Sequence, residues 1–149
     1  MKLCYESVIK APVTDVFAFY NDIGNLPRIT PPHMKTEIVD LQGNMRAGTR
    51  IELRVKLLFL TTAWLVRIEE HVANRYFVDV QEKGPFARFR HRHEFHPHAE
   101  GTLLRDEIDF ELPFAPFSAP IRKWIVKPQI DRTFAYRHAQ TRKYLQKEI

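Results

Sequence analysis

Two histidines one residue apart, His91 and His93, are the sharpest chemical feature of the sequence. On an extended strand that spacing sends both rings to one face, beside Phe89 and Phe95, while Arg88, Arg90, Arg92 and Glu94 take the other. An imidazole with an ordinary pKa of ~6.5 relays protons near neutrality, so both are candidate acid–base groups. Asp106 falls on the apolar side of the next segment with Leu104, Ile108 and Phe110, which makes it their candidate carboxylate partner. Further back, Phe77, Asp79 and Gln81 alternate with Tyr76, Val78 and Val80, and the pattern alone does not assign a face. Near the C-terminus Arg137 shares a helical sector of about 100° with Ile130, Phe134, His138, Thr141 and Leu145.

Buried charges must be paired, so an ion pair of Arg137 with Asp106 or Asp79 is expected, with each histidine donating to a carboxylate. Three uses of such a cluster stay open: a network that fixes helix to sheet, the polar floor of a ligand pocket, or acid–base catalysis. His-x-His with Asp106 as a third ligand is a weak metal pattern without fixed geometry, and no metal or other cofactor is expected.

The elements that must position these groups are readable from period and punctuation. Leu3 to Ile9 reads as a strand, broken by Pro12, and Thr14 is the expected cap of a short helix carrying Val16, Phe17 and Tyr20. A second helical turn is expected over Asp22 to Leu26. Arg50 to Leu57 alternates strictly between charged and aliphatic residues, the pattern of a half-buried antiparallel strand. Lys35 to Asp40, Thr61 to His71, Tyr76 to Glu82, Ala87 to His96 and Thr102 to Glu111 complete a meander. Helical spacing returns from Ser118 to Lys147, with Ser118 the expected cap and Pro128 a kink or break. The fold class expected is α+β: a seven-stranded antiparallel sheet, two short helices after the first strand and a long C-terminal helix.

Alternate turns of a meander share one end of the sheet. One end carries Gln42-Gly43-Asn44, Ala73-Asn74 and His98 to Gly101; the other carries Leu57 to Leu60, Gly84-Pro85-Phe86 and Pro113 to Phe117. Leu58, Phe59, Phe86, Phe114 and Phe117 therefore gather at one end, either packed as a small satellite core or as the greasy mouth of a cavity. Arg122, Lys123 and Lys127 follow directly, so brief contact with an anionic bilayer is a further expectation.

Composition bounds the rest. The chain has 149 residues, a formal net charge of +5 and 44% hydrophobic residues, enough for one domain that buries its own core. Its one cysteine, Cys4, excludes an internal disulfide and a cysteine zinc site, and reads as a small core residue of a reducing, cytoplasmic protein. No apolar run reaches the ~18 residues of a membrane span. There is no glycine-rich phosphate loop, G-x-S-x-G elbow or H-E-x-x-H helix. The stripe Arg88, Arg90, Arg92 reads as a solvated sheet face paired across strands rather than a nucleic-acid footprint.

The run Trp64-x-Val66-x-Ile68-Glu69-Glu70, then Phe77-x-Asp79-x-Gln81-x-x-Gly84-Pro85-Phe86, Phe89-x-His91-x-His93-x-Phe95, Gly101-Thr102-x-x-x-Asp106 and Phe134-x-Tyr136-Arg137 resembles the bacterial SRPBCC ligand-binding proteins. These form part of the START-like superfamily, with polyketide cyclases, coenzyme Q-binding proteins and the birch pollen allergen as relatives. The resemblance implies the helix-grip fold, a sheet curled around the last helix over an apolar cavity, and it groups Asp79 and Gln81 with His91, His93 and Asp106. Phe89 stands where relatives often have Trp. The expected ligand-contacting residues are then Trp64, Val66, Phe77, Asp79, Gln81, Phe89 and Phe95, the cluster His91, His93, Asp106 and Arg137, and Ile108, Phe110 and Phe134. The expected function is binding or transport of a hydrophobic small molecule of lipid, polyketide or isoprenoid type. A cyclase or hydratase using His91, His93 and Asp106, and an interaction module using the basic face, are the alternatives. Oligomeric state is not legible.

Overall fold

The computed structural model describes residues 1–57 and 59–146. Seven strands form one antiparallel sheet: β1 (Lys2–Ile9), β2 (Met34–Gln42), β3 (Arg50–Leu57), β4 (Leu60–Val72), β5 (Tyr76–Lys83), β6 (Arg88–His98) and β7 (Gly101–Glu111). Their order is β1-β7-β6-β5-β4-β3-β2, a meander from β2 to β7 with β1 added beyond its last strand. Between β1 and β2 lie α1 (Val13–Asn21) and a 3₁₀ segment (Ile23–Ile29). After β7 come a short α2 (Ala119–Ile121), a π-type segment (Arg122–Val126) and the long α3 (Lys127–Leu145).

Local chemistry sets the helix ends, with corrections to the sequence reading. Pro12, not Thr14, is the cap of α1: its extended backbone (φ −61°, ψ 151°) turns its carbonyl to accept from the N–H groups of Asp15 and Val16, leaving Thr14 inside the first turn. Asp22 caps the 3₁₀ segment by accepting from Gly24 N–H at 2.9 Å, and that segment runs three residues further than Leu26. Ser118 precedes α2 without a side-chain cap bond. Pro128 sits in the first turn of α3, and the departure from α geometry falls just before it. A proline has no N–H to offer the carbonyl four residues back, which favours the wider register there.

The inner face of the sheet carries two packed regions. Under α1, Phe17 meets Phe95 and Phe77 edge-on, with ring centroids 5.3 and 6.2 Å apart. Toward β1 and β7, Ile108 and Phe110 are fully buried with Phe134 of α3, whose ring stacks on Tyr5 at 4.9 Å. Helix α3 is held by polar contacts as well: Tyr5 of β1 donates to Asp131 at 2.5 Å, and Tyr20 of α1 shares a hydrogen bond with Thr141 at 2.6 Å. Cys4 is exposed, contrary to expectation, because Leu3 and Tyr5 are the residues of β1 that turn inward.

Candidate functional site

Between the packed regions and α3 the sheet leaves a cavity of ≈ 470 Å³. Its sheet wall is aliphatic and aromatic, from Ile51, Leu53 and Val55 of β3 through Trp64 and Val66 of β4 to Phe77 and Phe89. The 3₁₀ segment closes another side with Ile23, Leu26 and Ile29, and α3 contributes Ile130, Thr133, Phe134 and Arg137. The polar groups Asp79, His91, His93 and Arg137 stand together at one part of this wall.

Strand register builds that cluster. Asp79 of β5 is directly opposite His91 of β6, and His93 is directly opposite Asp106 of β7, so three strands deliver four titratable groups to one face. His91 Nε2 lies 2.7 Å from Asp106 Oδ1, and His93 Nε2 lies 2.6 Å from Asp79 Oδ2. An ionised carboxylate only accepts, so each imidazole donates through Nε2–H. The imidazoles stack on each other with centroids 3.6 Å apart. Asp106 is fully buried behind them, where burial opposes its ionisation but the bonds from His138 and His91 hold its carboxyl far below the usual range. Burial likewise works against the Asp79 carboxylate, and the His93 bond with the positive field of the neighbouring groups overcomes it, so its pKa is lowered. Burial is also the leading reason that the His93 pKa is lowered, which keeps that ring neutral.

The expected ion pair of Arg137 is not formed with either aspartate within 4.0 Å among the described residues. His138, one position along α3, reaches Asp106 Oδ2 through Nε2 at 2.5 Å and accepts from Ser7 Oγ–H through Nδ1 at 2.6 Å. Arg137 instead turns to the cavity with its guanidinium carbon 4.7 Å from the Phe134 ring centroid, and its Nε is buried without a partner. A step of 100° along a helix separates these neighbours, no wider than the sector of about 100° that the sequence pattern groups together.

Of the residues expected to contact a ligand, Trp64, Val66, Phe77, Asp79, Phe89, His91, His93, Phe134 and Arg137 border the cavity. Gln81, Phe95, Asp106, Ile108 and Phe110 do not. Phe95 belongs to the packing under α1, Ile108 and Phe110 lie toward β1, and Asp106 lies behind the histidines. Gln81 turns back on its own hairpin, donating to Phe86 C=O at 2.8 Å and accepting from Phe86 N–H at 3.1 Å. Gly84 makes room for that clamp, since a Cβ there would run into the Gln81 side chain.

At the expected mouth, Phe86 borders the cavity and packs 5.4 Å from Trp64, whereas Phe59, Phe114 and Phe117 are 96%, 85% and 87% exposed. A satellite core of those three tips is therefore not formed. Leu58 lies outside the described residues. Trp124 and Ile125 of the π-type segment, which sequence reasoning missed, are exposed as well, and Ile125 also lines the cavity. Lys127 is paired with Asp131 at 2.7 Å; Arg122 and Lys123 have no carboxylate partner within 4.0 Å among the described residues.

The sequence matches the family described as polyketide cyclase / dehydrase and lipid transport over residues 9–136. The chain belongs to that family. No curated protein matches it. Among solved structures, this polyketide cyclase / lipid transport member is similar to TTHA0849 from Thermus thermophilus, with a TM-score of 0.79, 20% identity and coverage of 98% and 97% of the two chains. It is similar to the Zhui aromatase/cyclase from Streptomyces sp. R1128 at a TM-score of 0.78 and 18% identity, covering 98% and 93%. A START superfamily protein from Mycobacterium smegmatis gives a TM-score of 0.74 and 15% identity, covering 97% of each chain. The family member's open antiparallel sheet with a long C-terminal helix is thus the helix-grip architecture. No helix among its described residues is long and apolar enough to cross a membrane.

Proposed function

We propose that the chain, acting as one domain, binds or carries a hydrophobic small molecule of lipid, polyketide or isoprenoid type in the cavity between sheet and α3. The observation that carries this reading is a mainly apolar chamber of ≈ 470 Å³ whose wall sets one cluster of polar groups, Asp79, His91, His93 and Arg137, among aliphatic and aromatic side chains, the arrangement by which such sites orient a mostly greasy ligand. Arg137 supplies donors there for an oxygen acceptor on the ligand. Native mass spectrometry after incubation with a lipid extract tests it: the wild type retains a small-molecule mass, and Leu53→Trp, which narrows the chamber, retains less of it. A folded wild-type protein that retains nothing and displaces no cavity-binding fluorophore overturns the reading.

Loading from an anionic bilayer in the cytoplasm completes the proposal. Phe59, Phe114, Phe117 and Trp124 are exposed at the end where the cavity lining reaches Leu60, Phe86 and Ile125, and Arg122 and Lys123 stand beside them. Each such cation near a charged surface is worth ~1 kcal/mol. Vesicle flotation at low salt should show weak binding that is lost in a folded Phe59→Ser, Phe117→Ser double variant. Binding unchanged in that variant, or none in the wild type, removes the membrane step and leaves the cavity reading standing.

A cyclase- or hydratase-type reaction is the second reading, favoured by one observation. His91 and His93 both border the cavity, and Asp106, accepting from His91 Nε2–H, fixes the tautomer that leaves the His91 Nδ1 lone pair without a donor, whereas the unpaired Nδ1 of His93 is buried against Asp106. The interaction-module reading gains no such support, because the arginines of the basic stripe are paired with carboxylates.

A further inference from the structure

We propose that Asp79, His91 and His93 form a divalent-metal site, of the kind zinc or cobalt(II) occupies, opening onto the cavity. One ligand atom from each residue lies within 4.8 Å of the other two. His91 Nδ1 and His93 Nε2 stand 3.9 and 2.6 Å from Asp79 Oδ2. Ligand atoms placed ~2.0–2.2 Å from a tetrahedral zinc sit about 3.3 Å from one another, a value these two separations bracket. All three side chains rise from paired strands, so small rotations rather than backbone movement would close the set.

Proton placement argues for the ion more strongly than spacing does. Without metal, neutral His93 donates through Nε2 to Asp79, and its bare Nδ1 then faces Asp106 Oδ1 at 3.5 Å, acceptor against acceptor. That Nδ1 is buried and has no hydrogen-bond partner. Nor does His91 Nδ1 find one: its nearest carboxylate oxygen is 3.9 Å away, while Nε2–H is spent on Asp106. A cation bound at His93 Nε2 shifts the ring proton to Nδ1, where it donates to Asp106, and the His91 Nδ1 lone pair becomes a second ligand. Asp106 then serves as the outer carboxylate behind both histidines, and His138 fixes its other oxygen. The sequence pattern offered Asp106 only as the third ligand of a weak motif, with no metal expected; in the proposed site Asp106 takes the outer role and Asp79 stands in front.

Charge points the same way. Asp79 and Asp106 bring two carboxylates to a buried site, and among the described residues Arg137 is the one arginine or lysine that borders the cavity beside them. A divalent ion turns the single net negative charge into a single net positive one and leaves its open position toward the chamber for a hydroxide or an anionic ligand oxygen, which Arg137 also favours. The site stands independently of which ligand the cavity holds.

The test is titration of chelator-treated protein with cobalt(II), followed by visible absorption, with zinc(II) calorimetry alongside. The expected result is one ion per chain with the ligand-field bands of a four- or five-coordinate site. His91→Ala and Asp79→Asn should abolish the bands, Asp106→Asn should weaken binding about 10–100-fold, and His96→Ala should change nothing. Because interior variants can lose the fold, long-range imidazole nitrogen NMR on the wild type gives a second readout: zinc should shift the ring nitrogens of His91 and His93. Absence of stoichiometric binding, or shifts confined to His33, His96 or His98, overturns the proposal.

Discussion

The two faces of β6 set the same kind of chemistry in opposite solvents. Outward, Arg88 pairs with Asp109 and Glu111, Arg90 with Glu69 and Glu70, and Arg92 with Glu94 while lying 4.0 Å over the Tyr76 ring. Inward, one residue out of phase, His91 and His93 meet Asp106 and Asp79 away from bulk water. Exposed pairs of the first kind contribute little, because water screens them and long side chains lose freedom in holding them. Groups of the second kind cost several kcal/mol to bury and return it only when every partner is in place. The outer face therefore tolerates change, whereas the inner cluster is a commitment that an apolar core of similar volume would avoid. That a carboxylate is kept fully buried at Asp106 is the best reason to read the cluster as functional.

Breaking the inner face at its centre should give the largest effect. Asp106→Ala removes the acceptor of both His91 and His138 and should cost about 3–5 kcal/mol in urea unfolding. Removing one donor is milder: His138→Ala strands one Asp106 oxygen and Ser7 Oγ, with an expected loss of about 1–3 kcal/mol. On the outer face Arg90→Ala should change stability by at most about 1 kcal/mol, and less as salt is raised. If Arg90→Ala and Asp106→Ala cost the same, the contrast between the faces is wrong.

The finest test uses protons. Arg88, chiefly through its hydrogen bond, holds the Asp109 carboxyl below its ordinary value. A carboxyl whose folded pKa is depressed contributes stability that is present above its unfolded value of ~3.9 and is lost as pH falls through the folded one. Arg88→Ala should therefore lower the melting temperature slightly at pH 7 and flatten its fall below pH 4. Equal slopes in both proteins would show that the exposed pair contributes nothing.

Much of this was legible because strands announce their faces. The strict alternation of Arg50 to Leu57 reappears as β3, and the inward set of β6 and β7 follows from period two alone. Period gives the face but not the position along the sheet, so Phe95, Ile108 and Phe110 point inward yet pack beyond the cavity. The choice between Arg137 and His138 as partner of Asp106 was below the angular resolution of a helical pattern. Gln81 clamps its own turn through side-chain to backbone bonds, which leave no periodic trace. Asp79 had an ambiguous strand pattern; the family resemblance grouped it with the histidines, and cross-strand register sets it directly opposite His91.

The sheet order has a kinetic consequence. β1 finds its partner β7 about a hundred residues later, with Lys2 opposite Asp109 and Ile9 opposite Thr102. During synthesis β1 must wait, unpaired on both edges, until nearly the whole meander has left the ribosome. Closing so long a loop delays its reward, and topologies dominated by such distant pairings fold in roughly milliseconds to seconds. The chamber shares this timing, because Tyr5 and Ser7 of β1 are among the residues that tether α3, through Asp131 and His138. Its roof is thus fastened by one of the first strands made and one of the last helices, and an interior able to hold a guest exists only once the two have met.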